Sequence, residues 1–122
     1  MIPFNQTYLT GKEAEYIADV LSSGSIGGNG VFTKKCHQYL EKKYSIKKAL
    51  LTTSCTDALE MASILIDLKP EDEVIIPSFT FVSTANAFLL RGAKIVFADS
   101  QGNHPNLDAE ILEPLITTKT KA

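Results

Sequence analysis

Cysteine is scarce in this 122-residue chain, with only Cys36 and Cys55. Two such cysteines do not resemble a disulfide framework, and the expected setting is a reducing, cytoplasmic one. An excess of charge of one sign is also missing. Lys and Arg number 12 against 14 acidic residues, a formal net charge of −2. No basic stripe runs along the chain, so there is no electrostatic ground for nucleic acid or a membrane surface as partner. No apolar run approaches the ~20 residues of a transmembrane helix. The opening, MIPFNQTYLTGKEAEY, lacks the basic n-region and apolar core of a secretory signal. Repeats and low-complexity tracts are absent. What remains is the composition of one globular domain.

The pattern of elements follows from periodicity and breakers. Residues 1–9 read as an irregular arm. Thr10-Gly11-Lys12-Glu13 matches a capping box, and Ala14, Ile17, Ala18 and Leu21 then fall at helical spacing, which predicts a helix over 11–22. SSGSIGGNGVF is a flexible loop. A second helix carries the apolar stripe Phe32, Cys36, Tyr39, Leu40 and Tyr44. A short strand is expected at 48–53 and a helix, apolar nearly all round, at 56–67; such a helix must be buried on most of its surface. Strands follow at 73–76 and 94–98, separated by a helix over 80–91 that Gly92 ends as a C′ glycine. A weak last helix starts at Asp108, and Pro114 should kink or shorten it. Strand and helix alternate from Lys48 onward, which argues for an α/β fold with a parallel sheet and helix crossovers.

Chemistry is concentrated at LLTTSCTDALEMA, residues 50–62. Here a strand-like start runs into small polar and thiol side chains, and a helix follows at once. Ligands of parallel α/β sheets sit at the carboxyl ends of the strands. A helix that begins there offers unpaired backbone N–H groups and the positive end of its dipole. Thr53, Ser54, Cys55, Thr56 and Asp57 therefore read as a phosphate cradle. The plainer reading is that Ser54 or Thr56 only caps the helix. No G-x-x-x-x-G-K-[ST] is present, so this is not a nucleotide P-loop. The next strand ends in Pro77-Ser78-Phe79-Thr80-Phe81, where an aromatic could stack on a flat ring whose phosphate sits in the cradle. The alternative is that these phenylalanines are core residues.

TTSCTDALEMA, followed by PEDEVIIPSFTFVSTANAFLLRGAKIVFAD, closely resembles the sugar aminotransferases of the DegT/DnrJ/EryC1/StrS family, which use pyridoxal 5′-phosphate (PLP). The IPFN start, SGSIGGNGVFTKKC and the final ITTKTKA extend the resemblance over the whole chain. It implies part of the large domain of the fold-type I PLP-dependent aminotransferase fold. It implies PLP as cofactor, with the phosphate held at Ser54, Cys55, Thr56 and Asp57 and the pyridine ring stacked on Phe81. The loop of Ile26, Gly27, Gly28 and Asn29 would lie near an active site at a dimer interface. The implied reaction is amino transfer, with glutamate as donor, to a nucleotide keto sugar, dTDP-4-keto-6-deoxyglucose.

The resemblance covers about the first third of such an enzyme. The family's Schiff-base lysine and the carboxylate that keeps the pyridinium protonated come from later segments. Within this chain Lys34, Lys35, Lys42, Lys43, Lys47 and Lys48 lie in charged runs. Lys69, Lys119 and Lys121 fall in turns or the tail, and Lys94 opens a strand away from the ligand end. No catalytic residue is therefore expected here, and the fragment is not expected to hold PLP covalently or to act alone. The expected partners are a second copy of the chain or the remaining C-terminal portion. The alternative is a non-enzymatic α/β remnant that dimerises or binds a phosphorylated ligand.

Other candidates are weaker. His37 and His104 have no ligand-like spacing with the cysteines, so no metal site is expected, and His37 reads as a helix-surface residue. Glycines 24, 27, 28 and 30 are too irregular for a dinucleotide fingerprint. In the family, the strand matching 48–53 lies at one sheet edge, and those matching 73–76 and 94–98 lie together at the other. A lone fragment is thus expected either to pair with another chain or to move 48–53 beside 73–76.

Overall fold

Thr10 and Glu13 start the first helix with half of a capping box. In the computed structural model, which describes residues 1–122, the Glu13 carboxylate accepts from the backbone N–H of Thr10 at 2.7 Å and of Gly11 at 2.9 Å. The Thr10 hydroxyl donates to the same carboxylate at 2.8 Å. The reciprocal bond to a helix N–H does not form, because the helix starts at Glu13 with Lys12 as its N-cap and no side-chain cap. Helix α1 spans Glu13–Ser22 and α2 spans Val31–Tyr44. α2 ends at Ser45 in a left-handed conformation (φ 52), and the Ile46 N–H turns back to the Glu41 carbonyl at 3.1 Å. Tyr16 of α1 and Phe32 of α2 pack with ring centroids 5.3 Å apart and planes tilted by 59°, a geometry the ring quadrupoles favour.

Two readings of this region are corrected. His37 is not a surface residue: it is buried, with 9 % of its surface exposed. Its Nε2 accepts the Leu51 N–H at 2.9 Å. Residues 48–53, expected as a strand, form none. The Ala49 N–H goes to Glu41 Oε1 at 3.1 Å, and Lys48 Nζ lies 3.3 Å from the same oxygen. Side chains one turn apart on α2 thus take the N–H groups that a neighbouring strand would otherwise take. Leu50 and Leu51 stay exposed, Leu50 at 67 %, while Ala49 is buried.

The chain divides into a unit of residues 1–51 and a unit of residues 52–122. The second unit holds α3 (Cys55–Leu65), β1 (Glu73–Pro77), α4 (Val82–Leu89) and β2 (Lys94–Ala98). β1 and β2 pair in parallel, Glu73 opposite Lys94 through Pro77 opposite Ala98, with α4 as the crossover. Val74 and Ile76 point to the buried side, and Leu68, Phe88 and Ala93 complete the core, with Leu59, Ile66, Ala85 and Ile95 packed against it. Each large side chain so buried contributes about 1.5–3 kcal/mol. Gly92 closes the helix-to-strand turn at φ +82. A Cβ there would stand 3.2 Å from the Pro70 ring, so the position needs glycine for both conformation and space.

The outer edge of β1 is taken by residues 119–122. The Glu73 N–H donates to the Lys119 carbonyl and the Lys121 N–H to the Glu73 carbonyl, both at 2.8 Å, and the Ile75 N–H to the Ala122 carbonyl at 2.9 Å. Thr117 Oγ1 adds a bond to Glu73 Oε2 at 2.5 Å. α3 is less buried than its composition predicted. Leu59, Ser63 and Ile66 turn inward, while Met61, Ile64 and Leu65 are exposed, as are Leu89 and Leu90 around the end of α4. The weak last helix is reduced to two 3-10 turns, Ala109–Ile111 and Glu113–Leu115. Asp108 caps the first by accepting the Glu110 N–H at 3.0 Å, and Pro114 shortens the run as expected.

Candidate functional site

α3 runs into the short turn before β1, and both pack on the same core. The helix packs chiefly on α4. Ser54 is its N-cap: its hydroxyl accepts the Asp57 N–H at 3.0 Å, and its carbonyl accepts the Ala58 N–H at 3.2 Å. The capping reading is thus correct for Ser54. It accounts for only two of the first four helical N–H groups. The N–H groups of Cys55 and Thr56 have no partner in the chain, and the Thr56 hydroxyl makes no hydrogen bond within it. Two backbone donors and one hydroxyl thus stand at the positive end of an 11-residue helix.

Asp57 is the electrostatic counterweight. Its carboxylate receives the Thr53 hydroxyl. That bond, with Ser54 second, holds the Asp57 carboxyl below the usual carboxylate range. The acid is ionised but occupied, and Thr53 turns it back toward the loop. Cys55 is exposed, with a free thiol, and Thr56 is half-buried.

The loop after β1 leaves both phenylalanines in solvent, Phe79 at 71 % and Phe81 at 75 %. Neither is buried within this chain. Phe81 is the N-cap of α4, where the Thr80 and Thr84 hydroxyls bond to each other at 3.0 Å. Two polar residues not singled out from the sequence meet at the strand ends: Ser78 Oγ donates to Asp99 Oδ1 at 3.4 Å. Asp99 also takes the Ser100 N–H at 2.8 Å. The available signal was positional, since Ser78 and Asp99 each directly follow the last residue of a strand.

Ile26, Gly27, Gly28 and Asn29 belong to the first unit, in the connection between α1 and α2. Asn29 takes a left-handed conformation, φ 60, and with Gly27 it lines a cleft of about 540 Å³ that also includes Asp19, Ser23 and Lys34.

The donor set at residues 54–57 suits the phosphate of PLP, and an exposed aromatic ring on the following loop suits its pyridine. Every lysine is exposed, and Lys94, at the opposite end of the strands, is paired with Glu71 at 2.6 Å. That carboxylate raises the Lys94 pKa and keeps the amine protonated and non-nucleophilic. No group of three or more His, Cys, Asp or Glu side chains could hold a metal ion. No helix is long and apolar enough to cross a membrane.

The family profile of the DegT/DnrJ/EryC1/StrS aminotransferases matches residues 7–122. The chain belongs to this family. Among its relatives, GDP-perosamine synthase of Escherichia coli O157:H7 is 33% identical over 121 residues, covering 99% of this chain and 33% of that protein. UDP-4-amino-4-deoxy-L-arabinose--oxoglutarate aminotransferase of Shewanella sediminis (strain HAW-EB3) is 32% identical over 120 residues, 98% of this chain and 31% of that protein. Among solved structures, Spr1654 of Streptococcus pneumoniae in its PLP form superposes with a TM-score of 0.85 at 33% identity, over 98% of this chain and 30% of that one. The aminotransferase TlmJ of Streptoalloteichus hindustanus gives 0.85 at 28% identity, over 98% and 33%. The chain spans about a third of the length of the curated relatives it matches. Its fold is accordingly α/β, part of the PLP-dependent aminotransferase large domain. PLP is the cofactor of the family.

Proposed function

We propose that the chain is the N-terminal portion of a PLP-dependent nucleotide-sugar aminotransferase, one that moves an amino group from glutamate to dTDP-4-keto-6-deoxyglucose. One observation carries the reading. In a chain of this family, the amino end of α3 keeps the N–H groups of Cys55 and Thr56 and the Thr56 hydroxyl free. Residues 54–57 bind the cofactor phosphate, Phe81 covers one face of the ring, and residues 26–29 serve the substrate at a subunit interface. PLP supplies an electron sink for amino transfer. This chain's own residues bind and orient it, and Thr53 keeps the Asp57 charge off the phosphate. The partner is a second copy of the chain or the portion that carries the lysine.

A second reading has its own support in the exposure of every lysine: a non-enzymatic α/β module that binds a phosphorylated ligand. The two separate when the coding sequence downstream of Ala122 is read and the continuous chain is expressed with PLP and glutamate. The enzyme reading expects a lysine-bound cofactor and turnover of dTDP-4-keto-6-deoxyglucose in preference to GDP- and UDP-linked keto sugars. Turnover of only a GDP or UDP sugar would overturn the substrate assignment. A stop directly after Ala122, with no companion chain bearing the lysine, would favour the module.

A further inference from the structure

We propose that Asn29 is a self-modification site at which the chain deamidates without an enzyme. The reacting groups are adjacent. The Gly30 amide nitrogen loses its proton to hydroxide and attacks Asn29 Cγ. The new N–Cγ bond closes a five-membered imide, the Cγ–Nδ2 bond breaks, and ammonia leaves. Water then adds to one of the two imide carbonyls, giving aspartate or isoaspartate.

Three observations single out this position. The chain has five asparagines, at 5, 29, 86, 103 and 106, and only Asn29 precedes a glycine. With no Cβ on Gly30, nothing on the following residue hinders the nitrogen. Asn29 is exposed and sits at φ 60, and no backbone N–H from residue 26 to residue 30 has a hydrogen-bond partner in the chain. No hydrogen bond from the Gly30 nitrogen has to break before it attacks. Asn86 is the opposite case: it lies inside α4, and the residue after it, Ala87, is buried.

The two products act oppositely on α2. Gly30 is the N-cap of α2, and the helix has neither a side-chain cap nor an acidic residue in its first turn. Aspartate at 29 places a negative charge beside the positive end of that dipole and supports the helix. Isoaspartate inserts a methylene into the main chain at a residue held in the left-handed region, and it displaces the cap. The site thus converts age into two populations of the loop, whatever reaction the full protein performs.

The experiment is to age the purified chain in mildly alkaline and mildly acidic buffer and map peptides by mass. An isoaspartyl methyltransferase with S-adenosylmethionine distinguishes the products. The expected result is exchange of NH2 for OH at residue 29 before any other asparagine, faster in alkali, and containing isoaspartate. Gly30→Ala should slow it at least several-fold and Asn29→Gln abolish it. A Cβ at Gly30 meets nothing closer than the Gly27 carbonyl at 3.7 Å, so the alanine variant folds without strain. Deamidation first at Asn103 or Asn106 would overturn the proposal. So would an intact Asn29 after a time in which the free peptide IGGNGVF has deamidated.

Discussion

The N–H of Leu51 donates to Nε2 of His37 across 2.9 Å, over a separation of 14 residues. An acceptor nitrogen is unprotonated, so the neutral ring carries its proton on Nδ1. The bond, with that of Glu41 to Ala49, fixes the segment leading into α3. His37→Ala should cost the first unit about 1 kcal/mol, and His37→Gln, which keeps an acceptor, less. Hydrogen exchange at the Leu51 amide reads the effect directly. Unchanged protection in the alanine variant would mean that the bond is not formed.

Thr56→Ala should weaken phosphate binding at α3 by about 1 kcal/mol, the worth of one hydrogen bond. Asp57→Asn should strengthen it by removing a negative charge beside the anion. Phosphorus NMR titration with inorganic phosphate and with PLP measures both. Equal affinities in all three proteins would leave α3 capped and nothing more.

Glu13 gives an acid-side test. Its carboxyl is lowered from 4.5 to about 2 by the bonds from Thr10 and Gly11. A depressed folded-state value means that the stabilisation is complete above pH 4.5 and is lost as pH falls through about 2. The Thr10 and Gly11 amide shifts should titrate near 2. A midpoint near 4.5 would show that the half capping box is open.

Mixed with PLP and dialysed, the isolated chain should retain no Schiff-base absorption, because every lysine is exposed and Lys94 is tied to Glu71. A stable yellow protein that aminates a keto sugar with glutamate would contradict this.

Met61, Ile64 and Leu65 of α3, together with Leu89 and Leu90, leave apolar surface open. Faces of this kind drive association. Sedimentation should show mass rising with concentration, and charging Ile64 and Leu65 together to Lys should restore a monomer. A monomer at all concentrations in the unaltered chain would refute the association.

The sequence revealed the units built from local signals. The capping residues Ser54 and Asp108, the glycine that ends the α4 turn, the two parallel strands and the shortening by Pro114 all follow from side chains acting within a few residues. Three features were not legible, and each depends on a distant partner. His37 looked like a polar helix residue because its acceptor role requires Leu51. Residues 48–53 looked like a strand because their alternation says nothing about which segment pairs with them. α3 looked buried because composition does not reveal what covers it. At the candidate site the polar turn that starts α3, with Ser54 as its cap, was legible. The meeting of Ser78 with Asp99 was not, since it requires knowing that their strands are neighbours.

The pairing of residues 119–122 with β1 decides which edge of the small sheet is open. The Lys119 and Ala122 carbonyls and the Lys121 N–H occupy the outer side of β1 from Glu73 to Ile75, so a stranger strand finds no free row of donors and acceptors there. Lys121→Pro removes the donor to the Glu73 carbonyl and would unlatch that edge while leaving the register of β1 with β2 intact.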